Sequence, residues 1–336
     1  MELARNHDQN NAGEGVLGMK VLIPDKIGAE AIRDLESHGF VVDHKPGISA
    51  AELVSLCPEY HAMLVRSGVK VTSEVISAAK ELRIVVRAGV GHDNIDSKAA
   101  AKEGIAVANT PSANTNAAAE HALAFLMMLG KPILKAHCEM KNGVWGRGRH
   151  EGTELKGKTL GIVGFGNVGR KVARVAKALD MDVVAFDTIV CESAMDEAGV
   201  RKVMLGELFE NADYITLHVP LNDSTKNLIS EKELMMMKQG VRIINTARGG
   251  VIDESALLEA LDSGKVAAAA LDVFETEPCT NQRLVMHENV ICTPHLGAST
   301  KEAQLKVSTD AAQAIAIALK ERIVLNSVNG VTAIKQ

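Results

Sequence analysis

The sequence predicts an α/β protein that consists of two doubly wound parallel-sheet domains with a cleft between them. Short apolar runs alternate with helical stretches along nearly the whole chain, which is the pattern of repeated strand–helix–strand units. The 336 residues are enough for two domains of ordinary size. Aromatic residues make up only 3% of the chain, so alanine, valine, leucine and methionine must fill the cores, as in helices packed on a Val/Ile-rich sheet.

The first series of predicted strands begins at Met19. Gly39 closes the first predicted helix, since glycine is common just past a helix end. A last helix after Thr300 is expected to return to this half, which gives a first domain over residues 19–112 and 300–330. The strands are predicted in the segments KVLIP, FVVD, AMLVRS, LRIVVRAG and IAVAN.

The second series predicts another domain over residues 113–299. An alanine-rich stretch, Ala117–Met140, is predicted to be one helix with a kink or break near Pro132, because proline lacks the N–H that a helix interior requires. The strands are predicted in the segments TLGIVGFG, DVVAFD, YITLHVP, VRIINTARGG, AAAALDVF and VICTP.

Charge and cysteine content exclude several classes of protein. The net charge is −5, so a nucleic-acid-binding surface has no support from the overall charge. The five cysteines are scattered without a C-x-x-C pair, which predicts reduced thiols in a cytoplasmic protein. No apolar run approaches the roughly 18 residues of a membrane span. Residues 1–18 are expected to form a flexible tail and not a targeting peptide.

A glycine-rich loop, GFGNVG, follows the predicted strand LGIVG and opens a helix. In a G-x-G-x-x-G loop in this setting, Gly164 permits the tight turn, Gly166 permits close approach of a pyrophosphate, and Gly169 permits helix–strand packing. The N-terminus of the helix offers unpaired N–H groups and the positive end of its dipole to phosphates. The loop therefore predicts dinucleotide binding; the alternative is a structural glycine-rich turn.

Asp187 ends the next predicted strand, 18 residues after Gly169. A carboxylate at this place accepts hydrogen bonds from both ribose hydroxyls and repels a 2′-phosphate. The expected cofactor is therefore NAD and not NADP.

Three late strands are each followed by ionisable residues that can take part in catalysis. They lie just beyond the strand ends, where ligands bind in an open α/β sheet. Arg248 follows one strand, Asp272 and then Glu277 follow the next, and His295 follows the last. An imidazole can exchange the hydroxyl proton during hydride transfer, a carboxylate can orient that imidazole, and a guanidinium can bind a substrate carboxylate. Asp272 is expected to accept from the nicotinamide carboxamide.

Each of these residues also has a structural interpretation, because paired or buried ionisable groups are often structural. His218, within a buried strand, is expected to be a satisfied core histidine. A metal site is not expected, since no H-x-x-x-H or clustered carboxylate–histidine spacing lies nearby.

The segments ELKGKTLGIVGFGNVGRKVA, NTARGGVIDESALLEAL, AALDVFETEP and CTPHLGASTKEAQ resemble the D-isomer-specific 2-hydroxyacid dehydrogenases. The resemblance covers about Met19 to Gly330. It implies a flavodoxin-like substrate domain and a Rossmann NAD-binding domain, with Arg248, Glu277 and His295 as the catalytic set. The implied cofactor-binding residues are Val90, Gly164, Gly166, Asn167, Val168, Gly169, Asp187, Val219, Thr246, Ala247, Asp272, Gly297 and Ala298.

The resemblance also implies substrate contacts and an oligomer. The long helix near Ala117 would help to form a homodimer or homotetramer. His92 departs from the small apolar residue that the family usually has there, and WGRGRHEG departs from its usual basic-aromatic pattern. The implied substrate residues are Arg66, Ser67, Arg87, Gly89, Arg147 and Arg149.

The implied substrate is a small anionic 2-hydroxy acid. The expected reaction is oxidation of D-3-phosphoglycerate to 3-phosphohydroxypyruvate with NAD, the first step of L-serine biosynthesis. Two alternatives stay open: a glyoxylate or hydroxypyruvate reductase, and an NAD-sensing, corepressor-like binding protein. The chain is expected to be either a short full-length form or a form without a C-terminal regulatory domain.

Overall fold

The computed structural model describes residues 18–335, so the tail predicted over residues 1–18 lies outside the described residues except for Gly18. The chain forms two compact units. Of the described residues, the first unit comprises 18–114 and 300–335, and the second comprises Thr115–Ser299. Both units contain a parallel sheet, which confirms the predicted fold class.

The first unit contains a five-stranded parallel sheet in the order β2-β1-β3-β4-β5, the flavodoxin-like order. Elements are numbered in chain order through both units. The strands are β1 (Lys20–Ile23), β2 (Val41–His44), β3 (Ala62–Val65), β4 (Ile84–Arg87) and β5 (Ala106–Asn109). The helices are α1 (Ala29–Ser37), α2 (Ala50–Leu56), α3 (Ser73–Ala78), α4 (Ser97–Lys102) and α13 (Lys301–Glu321).

The last helix, α13, packs within the first unit, against α1, β3 and β4. Its buried side chains include Val307, Ala311, Ile315 and Leu319, which recur every four residues and therefore lie on one helical face. Small alanines on this face let the helix lie close to the sheet. Helix α13 is therefore part of the core of the first unit.

The second unit contains a seven-stranded parallel sheet in the order β12-β11-β10-β9-β6-β7-β8. Its strands are β6 (Thr159–Val163), β7 (Asp182–Phe186), β8 (Arg201–Lys202), β9 (Tyr214–Leu217), β10 (Val241–Asn245), β11 (Val266–Leu271) and β12 (Val290–Cys292). Its helices are α5 (Thr115–Gly130), α6 (Ile133–Lys141), α7 (Asn167–Ala178), α8 (Glu192–Asp196), α9 (Leu205–Asn211), α10 (Glu231–Met236), α11 (Glu254–Asp262) and α12 (Gln282–Val285).

The strand order of this sheet reverses between β6 and β9, which is the topological switch point where ligands bind in such folds. The carboxyl end of β6 leads directly into the glycine-rich loop. Strand β8 was not predicted, because an edge strand of only two charged residues has no apolar pattern.

The stretch predicted as one interrupted helix over Ala117–Met140 is two helices, α5 and α6, which meet at an angle of 72°. Pro132 is the N-cap of α6, so the break falls where the sequence placed it. Among residues 18–335, no single helix is both long and apolar enough to cross a membrane. Only the bent pair of α5 and α6, taken together, has the length and apolar composition of a membrane span.

Candidate active site

Each of the three motif glycines in the loop after β6 is required for a different structural reason. Gly164 has a φ of +97°, and a side chain there would lie 2.5 Å from the His218 carbonyl oxygen. At Gly169 a side chain would lie 2.2 Å from the Gly164 carbonyl oxygen, so this glycine lets α7 pack on the turn. At Gly166, by contrast, a side chain would meet no described atom within 4 Å. The space over Gly166 is therefore open to a ligand that approaches the backbone closely.

Asp187 follows β7, and its carboxylate holds the neighbouring loops. It accepts hydrogen bonds from the amides of Phe165 (2.7 Å), Ile189 (2.7 Å) and Val190 (2.9 Å). Burial raises the pKa of this carboxyl, but these three amides and the positive charge of Lys202 outweigh burial and lower it. Asp187 is therefore an anion next to the glycine-rich loop, where it can accept from a ribose hydroxyl.

The loop after β10 contains Thr246 and Arg248. Asn245 holds its turn, because its amide nitrogen donates to the Arg248 carbonyl (2.9 Å) and its amide oxygen accepts from the Ala247 N–H (3.0 Å). Arg248 Nη1 donates to the Ala247 carbonyl oxygen at 2.6 Å. Among the described residues, the Thr246 hydroxyl oxygen is buried without a hydrogen-bond partner. A buried polar atom without a partner fits a site that a bound ligand completes.

Gly249 joins this loop to the loop after β11. A side chain at Gly249 would lie 1.8 Å from the Phe274 carbonyl oxygen, so the two backbones touch. The second loop, which carries Glu277, is further tied to α11 by reciprocal bonds: the Glu254 N–H donates to Glu275 at 3.2 Å, and the Glu275 N–H donates to Glu254 at 2.7 Å. The loops of Arg248 and Glu277 are thus adjacent.

His295 and Glu277 form a direct pair. Nδ1 of the imidazole lies 2.7 Å from Oε2 of the carboxylate, whose Oε1 accepts from the Phe274 N–H at 3.2 Å. Because an ionised carboxylate only accepts, Nδ1 carries the hydrogen and Nε2 is the nitrogen that can exchange a proton with a ligand. Both side chains are accessible, with exposed fractions of 48% and 38%. The pair has the arrangement of a general acid–base group with its orienting carboxylate.

The backbone of His295 is unusual. Its φ is +54°, in the left-handed region that residues other than glycine rarely adopt, at a typical cost of about 1–3 kcal/mol. The carbonyl oxygen of Asp272 accepts from the His295 N–H at 2.9 Å. The strained conformation therefore depends on contacts with the end of β11.

Asp272 is fully buried, and its carboxylate binds the His295 loop. Oδ1 accepts from the Leu296 N–H (2.6 Å) and the Thr293 hydroxyl (2.5 Å), and Oδ2 accepts from the Gly297 N–H (2.7 Å). Nε2 of His121 lies 3.3 Å from Oδ1. Burial raises the Asp272 pKa, but the bonds from His121, Thr293 and the two amides outweigh burial and lower it. Three of these four donors lie at Oδ1 and one at Oδ2, so the expected contact with a nicotinamide carboxamide stays a prediction for the remaining acceptor position of Oδ2.

His121 and Thr293 are functional candidates that the sequence analysis missed. His121 lies in the middle of α5, far from Asp272 in sequence, and its neighbours there are mostly alanine and other apolar residues. No motif distinguishes it from a core histidine. Thr293 is part of the quoted segment CTPHLG, where its position just before Pro294 is the only available signal.

A cavity of about 590 Å³ adjoins the His295–Glu277 pair in the second unit. Apolar side chains such as Phe274 and Val285 line it, together with Cys279 and Cys292. Burial raises the pKa of the Cys292 thiol to about 11, so this cysteine is a neutral thiol. All five cysteines are free. Within residues 18–335, no group of three or more His, Cys, Asp or Glu residues is placed to hold a metal.

The substrate residues implied for the first unit lie at the carboxyl ends of neighbouring strands. Arg66 and Ser67 follow β3, and Arg87 ends β4. The Arg66 N–H donates to the Asp25 carboxylate at 2.6 Å, which fixes this loop. Gly89 has a φ of +141°, and a side chain there would collide with the Arg87 guanidinium.

The exposed Val90 and the residue His92 lie just beyond this turn. The Val90 carbonyl accepts from the Asn109 side chain at 2.6 Å. Nδ1 of His92 lies 3.2 Å from the Ser97 hydroxyl, near the start of α4. His92 thus has a local structural partner.

Arg147 and Arg149 lie in a single 3₁₀ turn of the second unit, and both are exposed. Arg149 donates to Glu139 of α6 at 3.2 Å, and His150 contacts the same carboxylate oxygen at 2.8 Å.

The remaining implied cofactor residues lie around the glycine-rich loop and the loops beside it. Asn167 and Val168 begin α7, Val219 follows β9, and Ala298 follows Gly297.

The fold and these loops define a Rossmann-type dinucleotide-binding protein with an imidazole–carboxylate pair at the carboxyl edge of its sheet. The family model described as "D-isomer specific 2-hydroxyacid dehydrogenase, NAD binding domain" matches residues 123–297. The chain belongs to the D-isomer-specific 2-hydroxyacid dehydrogenase family, as the resemblance predicted, and its second unit contains the NAD-binding domain of that family.

Curated relatives and solved structures agree with this assignment. The chain is 48% identical to a D-3-phosphoglycerate dehydrogenase of Synechocystis sp. over 88% of this chain and 53% of that protein. It is 46% identical to one of Archaeoglobus fulgidus over 93% of this chain and 59% of that protein. The chain thus spans little more than half the length of these curated relatives. A glyoxylate reductase crystal structure from Paecilomyes thermophila matches 93% of this chain and 98% of its own, with a TM-score of 0.86 and 32% identity.

Proposed function

We propose that this chain oxidises D-3-phosphoglycerate to 3-phosphohydroxypyruvate with NAD, the reaction that starts L-serine biosynthesis. The observation that carries the proposal is the 2.7 Å contact of His295 with Glu277 beside a dinucleotide-binding sheet. The names of the curated relatives support the choice of substrate. The five free thiols are consistent with the reducing cytoplasm, which we propose as the location of the protein.

The residues fit NAD as the cofactor. Gly166 leaves open space over its backbone, α7 begins without a side-chain cap, and the Thr246 hydroxyl is buried without a described partner. The pyrophosphate would lie at Gly166 and the N-terminus of α7, and Asp187 would accept from the ribose. When bound, NAD supplies the acceptor for the hydride from the substrate's carbinol carbon.

The chain's own residues supply the rest of the proposed chemistry. Nε2 of His295 takes the hydroxyl proton as the carbonyl forms, and Glu277 stabilises the resulting imidazolium through Nδ1. The Arg248 guanidinium binds the substrate carboxylate through paired donors. Arg66, Ser67, Arg87, Gly89 and the Arg147–Arg149 turn remain predicted contacts for the anionic groups.

The test is an NAD-reduction assay at alkaline pH with 3-phosphoglycerate and, separately, with glycerate. We expect a clear preference for the phosphorylated acid, and a loss of that preference in Arg147→Ala or Arg149→Ala. Equal efficiency with both acids in the wild-type chain would reject phosphate recognition. Tight NAD binding without turnover of any 2-hydroxy acid would favour the corepressor-like alternative.

A glyoxylate or hydroxypyruvate reductase is the second candidate, favoured by the likeness to the fungal glyoxylate reductase structure. Such an enzyme needs the same imidazole–carboxylate pair and no phosphate site. Faster reduction of glyoxylate by NADH than oxidation of 3-phosphoglycerate by NAD, compared at saturating substrate, would select this alternative.

We further propose that two copies of the chain form a homodimer through the face of α5 and α6. Trp145, the single tryptophan, is 79% exposed just after α6, and a cavity of about 320 Å³ lies beside both helices. Six exposed apolar side chains on or beside these two helices support this face as the interface. These are Met127, Ile133, Leu134, Met140, Val144 and Trp145. Ile133→Asp should produce monomers in sedimentation experiments, whereas an exposed control such as Met204→Asp should not.

A further inference from the structure

The loop that carries His295 is held by an arrangement that contains a second histidine. Three successive amides, those of His295, Leu296 and Gly297, all donate to Asp272: the first to its backbone carbonyl oxygen and the other two to its carboxylate. With φ at +54°, His295 has little preference of its own for this conformation. The direction of its imidazole therefore depends on where the Asp272 carboxylate is held.

Two side chains hold that carboxylate in place. The Thr293 hydroxyl donates to Oδ1 of Asp272 at 2.5 Å, so the Thr293 oxygen is left as an acceptor. Nε2 of His121 lies 3.0 Å from this oxygen and 3.3 Å from Oδ1 of Asp272. Because both neighbours accept, Nε2 must carry a hydrogen, which the two oxygens share. His121, Thr293 and Asp272 thus form a closed triangle.

The position of His121 is itself fixed. It lies on α5, which packs on β10 and β11, and its ring contacts that of the fully buried Phe125 with centroids 4.5 Å apart. Its side chain is 19% exposed, so it is not an ordinary surface histidine. A donor at a fixed position in the helix layer is therefore connected, through one carboxylate, to the backbone of His295.

We propose that His121 is a positioning residue for His295. Its Nε2–H fixes Asp272 and Thr293, and these hold the three amides that place the His295 imidazole on Glu277. The inference rests on the proposed function, since it assigns the task of positioning the proton-transferring group. A purely structural His121 would stabilise the second unit without affecting catalysis by the folded enzyme.

The experiment compares three variants of the full chain with the wild type. His121→Leu removes the donor, His121→Gln keeps an N–H that can reach the same oxygens, and Leu126→Ala weakens the same core at a residue outside the triangle. We expect His121→Leu to lower kcat about tenfold to a hundredfold, because a small misplacement of a catalytic group has effects of this size. The KM values for NAD and 3-phosphoglycerate should change less than about threefold. His121→Gln should restore most of the kcat, and Leu126→Ala should keep it despite a lower unfolding midpoint.

A second readout does not need activity. Hydrogen–deuterium exchange of a peptide over residues 290–299 should be faster in His121→Leu than in the wild type and nearly normal in His121→Gln. A peptide over Glu254–Asp262 should exchange equally in all forms. If His121→Leu does not fold, His121→Asn takes its place, because its shorter amide does not reach the two oxygens.

The outcomes separate this inference from the proposed function. An unchanged kcat in the donor-free variant, or an equal loss in Leu126→Ala, would overturn the positioning role. Unchanged exchange over residues 290–299 would overturn it whatever the activity. A wild-type chain with no dehydrogenase activity would reject the proposed function, while faster exchange in His121→Leu would still establish that His121 holds the loop.

Discussion

Nδ1 of His295 lies 2.7 Å from Oε2 of Glu277, which joins the loop after β12 to the loop after β11. These side chains come from separate strands of one parallel sheet, and their contact lies at its carboxyl edge. This contact is the basis for assigning proton transfer to His295 and orientation to Glu277.

Replacing His295 with asparagine should remove proton transfer while the loop keeps its backbone. Asparagine tolerates the left-handed conformation better than most residues, so the loop should persist. We expect turnover to fall about 10²-fold or more, the usual contribution of general acid–base catalysis, with little change in NAD affinity. Steady-state kinetics and calorimetric NAD titration measure both. His287→Asn serves as the control, and nearly full activity in His295→Asn would contradict the assignment.

Glu277→Gln should test the orienting carboxylate. An amide keeps the shape of the side chain but does not stabilise an imidazolium, so we expect kcat/KM to fall at least about tenfold. Glu275→Gln is the matched control, because Glu275 lies in the same loop and contacts the Glu254 backbone. Equal activity of the two variants in the same assay would show that the His295–Glu277 contact has no catalytic role.

Asp187→Ala should weaken NAD binding and relax discrimination against NADP. Removal of the anion frees the amides of Phe165, Ile189 and Val190 and takes away the charge that repels a 2′-phosphate. A hydrogen bond to a charged group is worth about 1.5–3 kcal/mol, so the NAD affinity should fall about tenfold or more. Asp182→Ala, an exposed position at the start of the same strand, should leave both affinities unchanged. Retained selectivity in the Asp187 variant, measured by titration with each cofactor, would refute the selectivity role.

His218 should make the fold sensitive to mild acid. Burial lowers its pKa from 6.5 to about 4, so between these values the unfolded chain binds a proton that the native chain does not. Stability is therefore full above pH 6.5 and declines as the pH falls toward 4, by about 2–3 kcal/mol at pH 4.5. Asp187, Asp213 and Asp272, whose pKa values are also lowered, act only below about pH 4, since their ordinary value is 3.8. Three glutamates with lowered pKa values act from about their ordinary value of 4.5 downward: Glu52, Glu59 and Glu233. Burial also lowers the pKa of His61 from 6.5, so His61 adds to the loss of stability in the same range as His218.

Urea unfolding at pH 7 and pH 4.5 measures this acid sensitivity. His218→Gln should lose most of the difference between the two pH values, because its amide does not titrate. His137→Gln, at an exposed position, should keep the wild-type difference. A His218→Gln chain with the full wild-type difference would show that other groups cause the acid sensitivity.

The sequence was sufficient for the strand series and for the glycine-rich loop, because each requirement there is local. Gly169 lies against the Gly164 carbonyl within the same loop, and the φ of +97° at Gly164 is a property of that residue alone, although its close contact with the His218 carbonyl is distant along the chain. The sequence was insufficient to predict the hydrogen bonds of His121, because its partners Asp272 and Thr293 are distant along the chain. The left-handed backbone of His295 is also invisible in sequence, because only a small minority of histidines adopt it. Asp272 was recognised as important, but its partners depend on side-chain packing that no motif encodes.

The contact of Gly249 with the Phe274 carbonyl has a practical consequence for redesign of this protein. Because no side chain fits between them, the segments after β10 and β11 interlock and must be exchanged as a matched pair. A grafted segment with any side chain at the position of Gly249 would force the neighbouring segment aside. Specificity transplants should therefore take both segments from one donor.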